Sequence, residues 1–205
     1  MYIGKFLQEH PLNMRFFNGA ASKETATEVL ATIEEPRRRK IMQNYIDHAY
    51  YESVGNLEML MPLCSHKCQQ YLKIGGPDLI QDMPQSYSQL AEFYENMVRS
   101  NTYILHREID KLIVGEDAVF TDGIIHTLYP GGHLQDVMNL PEIKRDRVYQ
   151  LTKRVPVVFL FDEEGLSVGE HIYMTPSQPQ LTEVAHEWVP EKFWNNPITG
   201  AFSCK

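Results

Sequence analysis

The stretch YILHREIDKLIVGEDAVFTDGIIHTLY, residues 103–129, decides the fold. Residues 103–114 follow a two-residue hydrophobic period and read as a strand, Gly115-Glu116-Asp117 as a tight turn, and residues 118–129 as the returning strand. Strands this long twist and curl, so the hairpin predicts one wall of a bent antiparallel sheet. Pro130-Gly131-Gly132 closes it, and a long loop is expected to about Arg145. Residues 147–161 read as a third long strand, Asp162-Glu163-Glu164-Gly165 as a second hairpin turn, and residues 166–174 as a fourth strand.

Working back from the hairpin, the period changes to that of helices. Ser86-Tyr87-Ser88-Gln89 opens one, with Leu90, Phe93, Tyr94, Met97 and Val98 as its apolar stripe. A longer helix begins near Glu35-Pro36, where proline suits the first turn, and ends at Gly55-Asn56. Tyr45, His48 and Glu52 share one face of it. Between the two, a short helix containing Cys64 and Cys68 is expected, stopped at Gly75-Gly76-Pro77. Helices first and antiparallel strands after imply an α+β domain with helices packed on one face of a curved sheet. We divide the chain into an N-terminal arm (1–35), that domain (36–175) and a Pro- and aromatic-rich C-terminal extension (176–205) covering the body.

The 205 residues suit one domain with extensions, and 43% hydrophobic against 22% charged residues describes a globular chain. The net charge of −8 disfavours gripping phosphate backbones or anionic lipid, so neither nucleic acid nor membrane is an expected partner. The basic run Arg37-Arg38-Arg39-Lys40 reads as a solvated helix start. Residues 1–10 are too polar for a secretory signal, and three sparse cysteines (Cys64, Cys68 and Cys204) suit a reducing compartment, so a cytoplasmic location is expected.

The string from His106 to Gly123 resembles the first hairpin of SnoaL-like proteins, of the nuclear transport factor 2-like superfamily. Tyr129-Pro130-Gly131, Val157-Val158-Phe159, Phe161-Asp162-Glu163-Glu164-Gly165-Leu166 and Gly169-Glu170-His171 extend the likeness across residues 36–175. The resemblance implies a cone-shaped α+β barrel (cystatin-like) with an apolar cavity between the helices and the concave sheet face. It also implies acid–base residues in that cavity, chemistry mostly without metal, and association through the sheet as a homodimer or homotrimer. SnoaL-type cyclases carry an aspartate just after a Glu-His pair on the last strand; here Tyr173, Met174, Thr175 and Pro176 follow Glu170-His171 instead. Registered on the dehydratases of the superfamily, His106 falls at a histidine position, His126 near an acid, His48 near a tyrosine and Glu52 or Ser53 near a second acid.

The two-residue period puts His106 with Glu108, and Phe120 with Asp122 and His126, on faces that we assign to the cavity. Glu170 and His171 must face opposite sides, with Tyr173 following His171. Histidine titrates near neutrality and can both take and return a proton. We therefore expect His106 as base and His48 or His126 as the complementary acid. Tyr45, Glu52, Glu108, Phe120, Asp122, Glu170, His171 and Tyr173 are expected to contact substrate, with Tyr173 holding an oxygen. No compact ligand motif appears, so neither a metal nor a cofactor is expected. The function expected is a cofactor-independent lyase or isomerase (dehydration, double-bond shift or retro-aldol cleavage) acting on a small apolar, cyclic or aromatic molecule. The alternative is a non-catalytic ligand-binding or oligomerisation module of the same fold.

Overall fold

The computed structural model describes residues 1–75, 83–176 and 179–204. In chain order its strands are β1 (Tyr2–Ile3), β2 (Leu72–Ile74), β3 (Leu105–Val114), β4 (Ala118–Pro130), β5 (Val148–Arg154), β6 (Val157–Phe161), β7 (Ser167–Tyr173) and β8 (Gln180–Val184). Its helices are α1 (Ala21–Ala31), α2 (Pro36–Val54), α3 (Leu57–Leu60), α4 (Tyr87–Arg99), α5 (Gly131–Asp136) and α6 (Glu191–Trp194).

Local chemistry sets the helix ends. Glu35 caps α2 by accepting from the Arg37 and Arg38 amides, Pro36 occupies its first turn, and Gly55 ends it in the left-handed region at φ 68°. Ser86 caps α4 by accepting from the Gln89 amide, and the face carrying Leu90, Tyr94 and Val98 is buried. The helix expected around Cys64 and Cys68 stops early: α3 ends at Leu60, one 3-10 turn follows, and Cys64 pairs with Ser167 in an isolated bridge. Proline at 62 tightens that turn and blocks further α-helix. Of the stop at Gly75-Gly76-Pro77, only Gly75 lies among the described residues.

The sheet runs β1-β3-β4-β6-β7-β2, with β5 also on β4 and β8 on β5. It is antiparallel except where β2 joins β7. The third strand expected as continuous is two strands. Both β5 and β6 lie along β4, and the break falls at Val155-Pro156, where proline has no amide to give the ladder. A bulge between Ile109 and Lys111 bends β3. These breaks curve the sheet around α2. Its concave face packs Ile109, Leu112, Val119, Val157 and Phe159 against Ile41, Met42 and Tyr45 of α2 and Ala26 and Val29 of α1.

The two ends of the chain cover the convex face. Residues 1–20 of the N-terminal arm run across it and contribute β1, while the extension adds β8 and then packs Phe193, fully buried, against Ile104, Leu128 and Val148. No helix among the described residues is long and apolar enough to cross a membrane.

Candidate functional site

Alternation along the strands decides which side chains meet. On β3, Arg107 and Ile109 point to the concave face, so His106 and Glu108 point away from it. Their contacts agree. His106 accepts from the Asn18 amide of the arm at 2.8 Å and lies against the Phe17 ring. His126 pairs across the strands with His106 and contacts the Thr152 hydroxyl at 2.9 Å. Glu108 sits between them, 3.9 Å from His106 Nε2 and 3.6 Å from His126 Nε2. The expected base and one of its partner acids therefore lie under the N-terminal arm, on the convex side.

The same correction applies to Phe120 and Asp122, which share the His126 face of β4. Asp122 takes Arg154 at 2.7 Å and Lys111 at 3.2 Å. His171 also falls on the convex side, and Tyr173 is 38% exposed near the strand end. The expected group thus divides. His48, Tyr45, Glu52 and Glu170 remain on the concave side; His106, Glu108, Phe120, Asp122, His126, His171 and Tyr173 do not join them.

What gathers on the concave side is a buried polar cluster. His48 is 1% exposed, with Nε2 2.9 Å from the Tyr94 hydroxyl and 3.6 Å from Glu170 Oε1. Tyr94 in turn meets the Tyr71 hydroxyl at 3.2 Å, and Cys64 Sγ lies 3.9 Å from His48 Nδ1. One set of donors satisfies the chain: Tyr71 donates to Tyr94, Tyr94 to His48 Nε2, and His48 Nδ1–H points at the thiol sulfur. This leaves His48 neutral, and burial alone pushes its pKa down to about 4.

The carboxyls respond in the opposite sense. Burial raises Glu52 to about 7, opposed by the Arg107 charge. Burial and then the negative charge of Glu52 raise Glu170 to about 8, again opposed by Arg107. Arg107 is 7% exposed. Its guanidinium donates to Thr121 Oγ1 at 2.6 Å and the Val155 carbonyl at 3.3 Å, and lies over the Phe159 ring. Arg107 Nε and the Tyr45 hydroxyl are buried with no hydrogen-bond partner among the described residues. His48, Glu52 and Glu170 each offer one ligand atom within 4.8 Å of the others, so the same three residues have the spacing of a cation site. Chemically, the cluster holds two carboxyls poised near neutrality, a neutral imidazole, and two orphan donors where negative charge would be welcome.

Arg107, Tyr71, Tyr94 and Thr121 are the members that sequence reading missed. The signal for Arg107 was its place between Leu105 and Ile109, on the apolar face of its strand.

No family model matches the chain, and no curated protein matches it in sequence. Solved structures do. RV0760c from Mycobacterium tuberculosis matches at TM-score 0.50 and 9% identity, over 70% of this chain and 96% of its own. A Δ5-3-ketosteroid isomerase from Mycobacterium sp. matches at TM-score 0.50 and 13% identity, over 70% and 98%. A SnoaL-like protein from Shewanella putrefaciens CN-32 matches at TM-score 0.52 and 10% identity, over 68% and 90%. At these identities the likeness is one of fold.

Proposed function

We propose that this chain, built on the SnoaL-like, nuclear transport factor 2-like fold, is a cofactor-independent lyase or isomerase that moves a proton at a carbon next to a carbonyl. Its site would be a cone-shaped space between α2, α4 and the concave sheet face. Glu52, the lower of the two in pKa, is the base and Glu170 the acid that returns the proton. Two like-charged carboxyls in one buried site cannot both ionise easily, so one is held protonated while the other accepts. Arg107 Nε and the Tyr45 hydroxyl take the oxyanion that forms when the carbon loses its proton. His48, held neutral by burial, lies beside Glu170.

The observation that carries this reading is the pairing of two carboxyls raised toward neutrality with an unsatisfied guanidinium and hydroxyl in the same buried cluster. Fold alone does not choose the reaction; the ketosteroid isomerase among the structural matches supports the class.

The test is solvent-deuterium incorporation into a panel of cyclic β,γ-unsaturated ketones, each with and without a ring carboxylate, followed by proton NMR. Wild type should exchange at least one member, and Glu170→Gln should lower kcat by at least about 100-fold. His106→Ala, on the other face of the sheet, should leave the rate within about twofold. Full turnover by a folded Glu170→Gln protein, or no exchange across the panel, overturns the proposal.

A further inference from the structure

The concave face that carries Glu170 also carries two lysines that pair with no acidic side chain among the described residues. Arg107, Ile125 and Lys153 form one cross-strand row over β3, β4 and β5. Val157, Ile172 and Lys73 form another over β6, β7 and β2. Residues in register share a sheet face. Lys153 is therefore on the Arg107 side, and Lys73 is level with Ile172, two residues along β7 from Glu170. Neither lysine makes a hydrogen bond or ion pair among the described residues. The two are close enough that the Lys73 charge adds to burial in holding the Lys153 ammonium below its ordinary range.

A cleft of about 210 Å³ opens beside Lys153, with Val155, Tyr173, Met174, Pro176 and Pro179 among its walls. Arg154 borders it too, but its guanidinium is held by Asp110 at 2.6 Å and Asp122 at 2.7 Å. The uncommitted positive charge there belongs to the lysines. A partly buried ammonium facing a like charge is costly until an anion joins it. In a chain of net charge −8, counter-charges are plentiful, yet none is placed there among the described residues.

We propose that Lys153, assisted by Lys73, binds a carboxylate carried by the substrate, so that the substrate class is a small apolar carboxylic acid rather than a neutral molecule. This rests on the acid–base reading of the Glu170 cluster. The apolar walls at Val155, Met174 and Pro176 receive the carbon skeleton next to the anion, and Met174 follows β7 four residues beyond Glu170.

The test uses two probes of equal size, 2-naphthoate and the neutral 2-naphthamide, titrated into the full chain by calorimetry. Wild type should prefer the carboxylate by at least about tenfold, and 0.5 M salt should shrink that preference. Lys153→Met should erase the preference while retaining naphthamide binding; Lys153→Arg should keep it. Circular dichroism melts verify that each variant is folded. Equal affinity of wild type for the two probes, no binding of naphthoate, or a preference that survives in Lys153→Met overturns the proposal. Glu170→Gln separates this inference from the catalytic one. It should keep the carboxylate preference, so a protein that discriminates the probes yet exchanges no protons refutes only the acid–base reading.

Discussion

Glu52 and Glu170 are carboxyls that burial moves out of their usual range, and the consequence is measurable in stability. Their folded-state pKa values lie above the ordinary 4.5, at about 7 and about 8. Their contribution is fully present below pH 4.5 and is lost as pH rises through 7 to 8. His48 behaves oppositely: its value falls from 6.5 to about 4, so its contribution is present above pH 6.5 and lost as pH falls toward 4. Between pH 6.5 and 8 only the carboxyl loss remains. Wild type should lose on the order of 1–3 kcal/mol across that window, and the Glu52→Gln, Glu170→Gln double variant should lose much less. Urea melts at stepped pH values check this; parallel curves for the two proteins would contradict the assignment. Arg107 is the counter-charge, and Arg107→Met leaves the carboxyls without it. We expect a loss of about 3–5 kcal/mol at pH 8 and a smaller loss at pH 5, where both carboxyls are protonated.

At the scale of elements, two glycines hold the framework that aims these groups. A Cβ at Gly123 would lie 1.9 Å from the Glu108 carbonyl oxygen, because the β3 bulge brings that backbone close. Gly123→Ala should therefore separate β3 from β4, displace Arg107 and lower Tm sharply, by a destabilisation of more than about 3 kcal/mol. Gly55 needs its positive φ of 68° to end α2, and an added Cβ would meet the Tyr103 ring at 3.0 Å. Gly55→Ala should cost about 1 kcal/mol or somewhat more, read from the same melts, with the site intact. Much of this level was legible in sequence. The end of α2 at Gly55, the start of α4 at Ser86 and the turn at Gly115-Glu116-Asp117 are local chemistry. The division of residues 147–161 at Val155-Pro156 was also written locally, in the proline, although periodicity alone passes over it. The short strands β2 and β8 were not legible: three and five residues acquire strand geometry only from the partner they join.

For the whole molecule, the chain's own ends cover the convex face. Asn18 holds His106, the backbone of Leu12 is hydrogen-bonded to Gln150, and Leu7 is bonded to Asp110 and Arg154. Deleting residues 1–20 should expose the His106–His126 region and apolar surface beside it. The truncated protein should melt at lower temperature and form larger species than the full chain in light scattering. Unchanged mass and Tm would show that the arm contributes nothing. The sequence by itself determined the element types, the α+β order and the resemblance to one fold, because periodicity and turn chemistry act over a few residues. It also placed His48 and Glu52 on one helix face and put Glu170 opposite His171. Which face of each strand is concave was decided only in the tertiary structure. On β3 and β4 both faces are covered, one by α2 and the other by the arm and extension, so both are apolar enough to pass for the interior. A one-residue difference in facing exchanges His106 for Arg107, and the long-range packing of the chain ends makes that choice.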